Sequence, residues 1–422
     1  MRDHSVLTTH RGTETPRNRW TSASVPRCLG VSSFGTAVNV SLGSGFVALC
    51  VALIVAWPRP VHTHGSLTTT VLFDREIVRI LNQRCVMCHI EGGLSFPLET
   101  YEQTWLQGRS MRSSVLRRHM PPWSAVAGYG EFINDNHLTL RESQFLVSWV
   151  EGLGPRNAGK VFLNVIDPKA AATQEVRATT HSNHWQLGEP DLSIPIGSGH
   201  GGSSVKRTVV DLGVTAPRQI HALEFMPGDR GHIAAAVFSV EATGQWLGTW
   251  TPWHSFVSLP DDVVYRLPAR TRIVVDIHYR GAGEPAVDAG TLGIFFSPPR
   301  SLPSPGSRTP SPGSKAATDI VLDARPTTGS RTLKGMSRLT GDTRVWAIQP
   351  EIVPGLSSLE VSARRPDGGT DVLLALVNPS IEWPTPYLLK TPRLLTRGTE
   401  LFVVARSFEG QTRQVRVRVS RY

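Results

Sequence analysis

Residues 74–89 read DREIVRILNQRCVMCH. Ile77, Ile80 and Leu81 share one face at helical spacing, so the stretch predicts a short helix that ends at Cys85-Val86-Met87-Cys88-His89. C-x-x-C-H is the attachment pattern of c-type haem. Two thiols at this spacing can each form a thioether to one macrocycle, and the adjacent imidazole then lies under the iron. A thioredoxin-like thiol pair is the rival reading of C-x-x-C, and the histidine after it disfavours that alternative. Only two other cysteines exist in the 422 residues, Cys28 and Cys50, and four in this length exclude a disulfide-framed scaffold.

Flanking segments extend the helical pattern over residues 69–156. A second helix is expected near Ser110–His119. A third starts at Thr139, with Glu142 completing a capping box, and turns Phe145, Leu146, Trp149 and Val150 to one side. The far axial position on the iron calls for a soft sulfur or an imidazole. Met120 is the preferred candidate, because Pro121 and Pro122 stiffen the backbone behind it. Met111 and His119 compete for the role.

Residues 160–298 read as short strands between turns, 299–316 as a Pro/Ser/Gly linker, and 317–422 as strands again. The expected architecture is therefore multidomain: a small all-α c-type cytochrome followed by two all-β domains of jelly-roll or sandwich type. Residues 1–68 read as leader and spacer. Five arginines precede an uncharged stretch, inside which residues 45–57 (GFVALCVALIVAW) are apolar. That order predicts export to the periplasm or another extracytoplasmic space, with the leader either cleaved as a signal peptide or kept as an N-terminal membrane anchor. Cys50 is read as an apolar leader residue. His62, His64, His181, His184 and His200 are read as spacer or loop residues.

The 44 basic and 34 acidic side chains give a net charge of +10, but without basic runs or a recognition motif, so no nucleic-acid partner is expected. Nucleophile elbows, Walker loops and H-E-x-x-H are absent from the sequence.

The segment from Val71 to Pro155 resembles the cytochrome module of bacterial haem–copper fusion proteins. The pieces that carry the resemblance are Cys85–His89, Phe96-Pro97-Leu98, Thr100-Tyr101-Glu102, His119–Trp123, Gly128–Phe132 and Ser148-Trp149-Val150. The chain beyond Pro155 is similar in order and spacing to copper type II, ascorbate-dependent monooxygenases of the peptidylglycine-hydroxylating kind. Met226–His232, Val275–Arg280, Asp288, Gly293–Phe296, Arg365–Gly368, Glu382-Trp383 and Tyr387 carry that part.

The resemblance implies a copper held by a His-His pair and by a third histidine that precedes a tyrosine. Here the pair reads Gly231-His232, and His278-Tyr279 matches the third position, so His232 and His278 are the candidate copper ligands. His221 or His254 would have to replace the missing imidazole. The second copper of the family uses a His-x-His motif, where this chain has Glu351 and Val353, and a late methionine, whereas none occurs after Met336 here.

Three functions fit these residues. One is an exported electron-transfer protein with haem c, served by a redox partner protein or a small-molecule reductant. Another is a haem-coupled copper monooxygenase that hydroxylates a C–H bond. The third is a haem-bearing structural or sensory module.

Overall fold

Alternation of apolar and polar residues dominates the chain downstream of residue 190, and strands result. The computed structural model describes residues 69–157, 184–199, 205–280, 287–297, 313–326, 331–408 and 412–422. The leader, Cys50, His62, His64, His181, His200 and most of the 299–316 linker lie outside the described residues. Among the described residues no helix is long and apolar enough to cross a membrane.

Two sheets form the first β layer pair. One runs in the order Leu192–Pro195, Thr291–Phe296, Arg218–Met226, Val263–Leu267 and Lys315–Ala316, with Phe256–Ser258 also paired to Arg218–Met226. The other has the order Val205–Asp211, Arg272–Tyr279, Ile233–Val240 and Trp246–Trp250. Ile220, Phe225, Phe238, Trp246, Ile273, Ile277, Leu292 and Ile294 belong to one buried cluster drawn from both sheets. Side chains alternate across a strand, so a face made of every second residue is what the pair buries.

A third sheet of eight strands runs Thr370–Val377, Leu356–Arg364, Glu400–Ser407, Thr332–Arg338, Thr318–Pro326, Val415–Arg421, Thr343–Pro350 and Tyr387–Leu395. It folds over at Thr318–Pro326. That strand pairs along its length with Val415–Arg421, but meets Thr332–Arg338 only at Arg325↔Lys334 and Pro326↔Leu333. Val415, Val417 and Val419 point into its core, with Arg416 and Arg418 outside. Trp346, Ala347 and Leu388 from this sheet join the core of the first layer pair, so the two regions share apolar contacts.

The expected small all-α domain is not what forms. The described residues are mainly β, and their four α-helices are short: Val78–Arg84, Tyr101–Leu106, Gly108–Leu116 and Leu140–Glu151, preceded by a π-helical turn at Phe73–Ile77. Thr100 and Thr139 cap two of them in capping boxes with Gln103 and Glu142. Helices of 7, 6, 9 and 12 residues do not amount to a sizeable all-α module.

Between the third and fourth helices the chain runs through turns and bends and is stitched to the third sheet by isolated bridges and hydrogen bonds. Val126 N–H donates to Ala375 O at 2.8 Å, Ile133 N–H to Leu388 O at 2.8 Å, and Lys390 N–H to Glu131 O at 2.9 Å. Asn134 reaches Pro386 O at 2.6 Å through its side-chain amide, and its side-chain oxygen accepts from Leu388 N–H at 3.2 Å. Phe132 lies in the core of the third sheet, edge-on to Trp123 and Tyr387. The helical segment thus completes part of its burial on strands, and all described residues fall in one compact unit. Sequence pattern does not reveal this, because an irregular strip without its own alternation shows no sign of its distant partners.

Candidate functional site

The helix Val78–Arg84 ends where the motif begins. Cys85 and Val86 N–H both reach Leu81 O, at 2.9 and 3.0 Å, while Cys88 and His89 N–H both reach Cys85 O, at 3.1 and 3.0 Å. Val86 is fully buried and anchors this turn in the helical core. Both thiols are free. Burial pushes Cys85 and Cys88 up to about 12, so each carries its proton. A thioredoxin-like pair needs a lowered thiol, and these lie in the opposite direction.

His89 is oriented by one bond. Its Nδ1 lies 2.9 Å from Phe96 O, and the Phe96 ring packs at 4.8 Å between centroids. A carbonyl can only accept, so Nδ1 carries the proton and Nε2 keeps its lone pair for a metal. Burial lowers the basicity of His89, which favours the neutral ring that a metal requires. Gly92, with φ of +67°, allows the loop after the motif to turn back so that Leu98 N–H bonds to His89 O at 2.8 Å.

Cys85, Cys88 and His89 open onto a largely apolar cleft. Phe96, Leu98, Met111, Val115, Leu138 and Leu146 supply much of its apolar wall. Met120, Pro121 and Pro122 also line it, as does Met111 from the helix Gly108–Leu116, whereas His119 is exposed and takes no part in the wall. Two free thiols, an oriented imidazole, thioether sulfurs and a lining that is otherwise apolar apart from Arg84, Arg280, Asn136 and three serines fit a covalently attached haem.

Two residues that the sequence pattern does not assign to the site complete the cleft: Arg280, just beyond the strand Arg272–Tyr279, and Trp383, ahead of Tyr387–Leu395. Trp383 packs with Cys88, Leu94, Ala234 and Trp253. No local signal marks either residue for this role. Phe96, whose carbonyl orients His89, is a further member that the motif alone does not give, although its signal is nearer: it stands seven residues past the histidine, before Pro97.

The copper candidates are arranged differently. Strand register sets His278 opposite Ala235, with Arg280 N–H bonded to His232 O at 2.7 Å. His232 Nδ1 is held by Asp229 Oδ2 at 2.9 Å, and Asp229 Oδ1 accepts from Gly231 N–H at 2.8 Å. Burial lowers the basicity of His278. His254 is half-buried, desolvation lowers it to about 4, and its Nε2 has no hydrogen-bond partner among the described residues. His221 lies against Phe295. Glu351 is exposed at the start of a loop. Among the described residues, no group of three His, Cys, Asp or Glu side chains comes together to hold a metal ion.

Position 231 has a steric explanation. A Cβ there would stand 2.7 Å from the carbonyl oxygen of Gly92, in the loop just past the haem motif. The approach of that loop excludes any side chain, so the first imidazole of a His-His pair has no room. Gly231→His is expected to cost about 1–3 kcal/mol as the two loops are forced apart. A lower midpoint in denaturant with unchanged slope is the check, and an unaltered midpoint would show that the loops part freely.

No family model matches the chain, and no curated protein matches it. Among solved structures, the chain is similar to the major capsid protein P2 from Bacteriophage PM2, at 11% identity and a TM-score of 0.24 over 54% of this chain and 96% of that one. It is also similar to the tandem CBM22-1–CBM22-2 domain of Xyn10C from Paenibacillus barcinonensis, at 9% identity and 0.15 over 55% and 97%. A deletion mutant of the oxalate decarboxylase OxdC from Bacillus subtilis aligns at 10% identity and 0.14 over 55% and 77%. Superpositions this loose carry no argument about fold or function.

Proposed function

We propose that this chain is an exported haem c protein that carries electrons, with its haem site set against β layers similar to those of copper type II monooxygenases. The observation that carries the reading is the convergence of Cys85, Cys88, His89 and Met120 on one largely apolar cleft, with His89 Nδ1 tied to Phe96 O. Cys85 and Cys88 would hold the macrocycle through thioethers. His89 would ligate the iron through Nε2. Met120, on the wall of the same cleft, would supply a second ligand to the iron. When bound, haem c supplies a one-electron ferric/ferrous couple.

The residues do the rest. Phe96 O fixes the tautomer and orientation of the His89 ring. Leu98, Val115, Leu138 and Leu146 restrict water on the apolar side, which makes each nearby charge count for more. Methionine together with histidine as iron ligands would raise the potential. Copper catalysis is not part of this proposal, because position 231 has no room for an imidazole and no three candidate ligands come together among the described residues. Export rests on the leader pattern of residues 1–68, and electron exchange with a partner protein or a small reductant rests on the haem.

Full-length protein made in a host able to mature c-type cytochromes should show a Soret band and about one iron per chain. Colourless protein would end the proposal. Met120→Ala is expected to abolish the long-wavelength sulfur–iron band and to lower the potential while the Soret band remains. An unchanged spectrum would pass the axial role to Met111, the other sulfur on the cleft wall.

A further inference from the structure

Among the residues that line the cleft there is no aspartate or glutamate. Two arginines reach it. Arg84 is engaged: its guanidinium lies 3.5 Å from Glu142 Oε1 and donates to Asp135 O at 3.2 Å. Arg280, exposed just past the end of its strand, has no carboxylate partner among the described residues, and the carboxylates of the adjoining strand and loop are engaged elsewhere. Asp276 is clamped by Arg207 through two 2.8 Å bonds, and Asp229 is taken by His232 and the Gly231 N–H. The Arg280 backbone is pinned by its bond to His232 O, and Trp383 completes the wall of the cleft with it. An arginine held at its backbone, with no described carboxylate beside it, on the wall of an acid-free and largely apolar cleft, marks a place for an anionic group.

We propose that Arg280, supplied by the β layers, is the counter-charge for a carboxylate of the porphyrin and thereby sets the potential of the haem. This rests on the haem reading. It goes further, because it makes the β region part of the cofactor site. Arg280 touches no reacting atom and acts as a tuning residue. A positive charge facing the macrocycle favours the form with one more electron, so its loss lowers the potential.

The experiment uses full-length holoprotein with Arg280→Gln, Arg280→Met and Arg280→Lys. Soret absorbance per chain should stay at the wild-type level, since the thioethers do not depend on Arg280. Both neutral variants should shift the reduction equilibrium about tenfold toward the oxidised form, about 59 mV for a one-electron couple. The lysine variant should recover most of that shift, which a purely structural role would not produce. Haem-loaded Gln and Met variants with the wild-type potential would overturn the proposal while leaving the haem reading intact. Wild-type protein without covalent haem would overturn both.

Discussion

Replacing Cys85 and Cys88 together with alanine is expected to remove covalent haem completely. Solvent extraction should then strip any remaining porphyrin from the protein, and iron per chain should fall from about one to near zero. Each single variant should keep one thioether and a red-shifted haemochrome spectrum. The expectation is strict because both sulfurs lie on the same cleft wall, on one turn set by Cys88 and His89 N–H against Cys85 O. Alanine is smaller than cysteine and preserves that backbone, so the apoprotein should still fold. Haem that stays bound through extraction in the double variant would mean attachment elsewhere in the chain, and the reading of residues 85–89 would be wrong.

The second large effect is structural. Trp246→Ala is expected to destabilise the protein by about 3–5 kcal/mol. Trp246 is among the largest fully buried side chains, and its indole N–H donates to the buried Thr249 hydroxyl at 3.0 Å. Its ring stands 5.8 Å from that of Trp346, which belongs to the eight-stranded sheet, and its backbone N–H donates to Asp319 Oδ2 at 2.7 Å. Truncation therefore opens a cavity where the first layer pair meets the next sheet. The readout is the denaturant midpoint, with Leu140→Ala as the exposed control, expected to stay within about 0.5 kcal/mol. Equal midpoints for the two variants would show that the Trp246–Trp346 contact does not couple the sheets.

These two effects differ in how far they can be read along the chain. The haem motif is complete within five residues, and its chemistry depends on spacing that no fold has to supply. Thr139 was recognisable as a helix start because a capping box closes over three residues, and both of its bonds form. Strand character at Val415–Val419 was visible for a similar reason, since alternation is a property of adjacent residues. The all-α module failed because local periodicity describes a helix and says nothing about whether the helices suffice to bury each other. Here the strip containing Phe132 and Asn134 leans on the third sheet, and Asn134 finds its partner in Pro386, 252 positions away.

By itself, the sequence carried the thiol and imidazole pattern at residues 85–89, the helix start at Thr139 and the alternating strands such as Val415–Val419, because each depends on neighbours within a turn or a few strand residues, whereas the capped start at Thr100 was not read from it. Only the tertiary structure decided that Arg280 and Trp383 wall the cleft, that the carbonyl of Gly92 leaves no room for a side chain at Gly231, and that the helical segment is sewn into a sheet. Those outcomes come from pairing and packing between remote segments, where the energy belongs to two surfaces together and neither segment carries its half as a pattern.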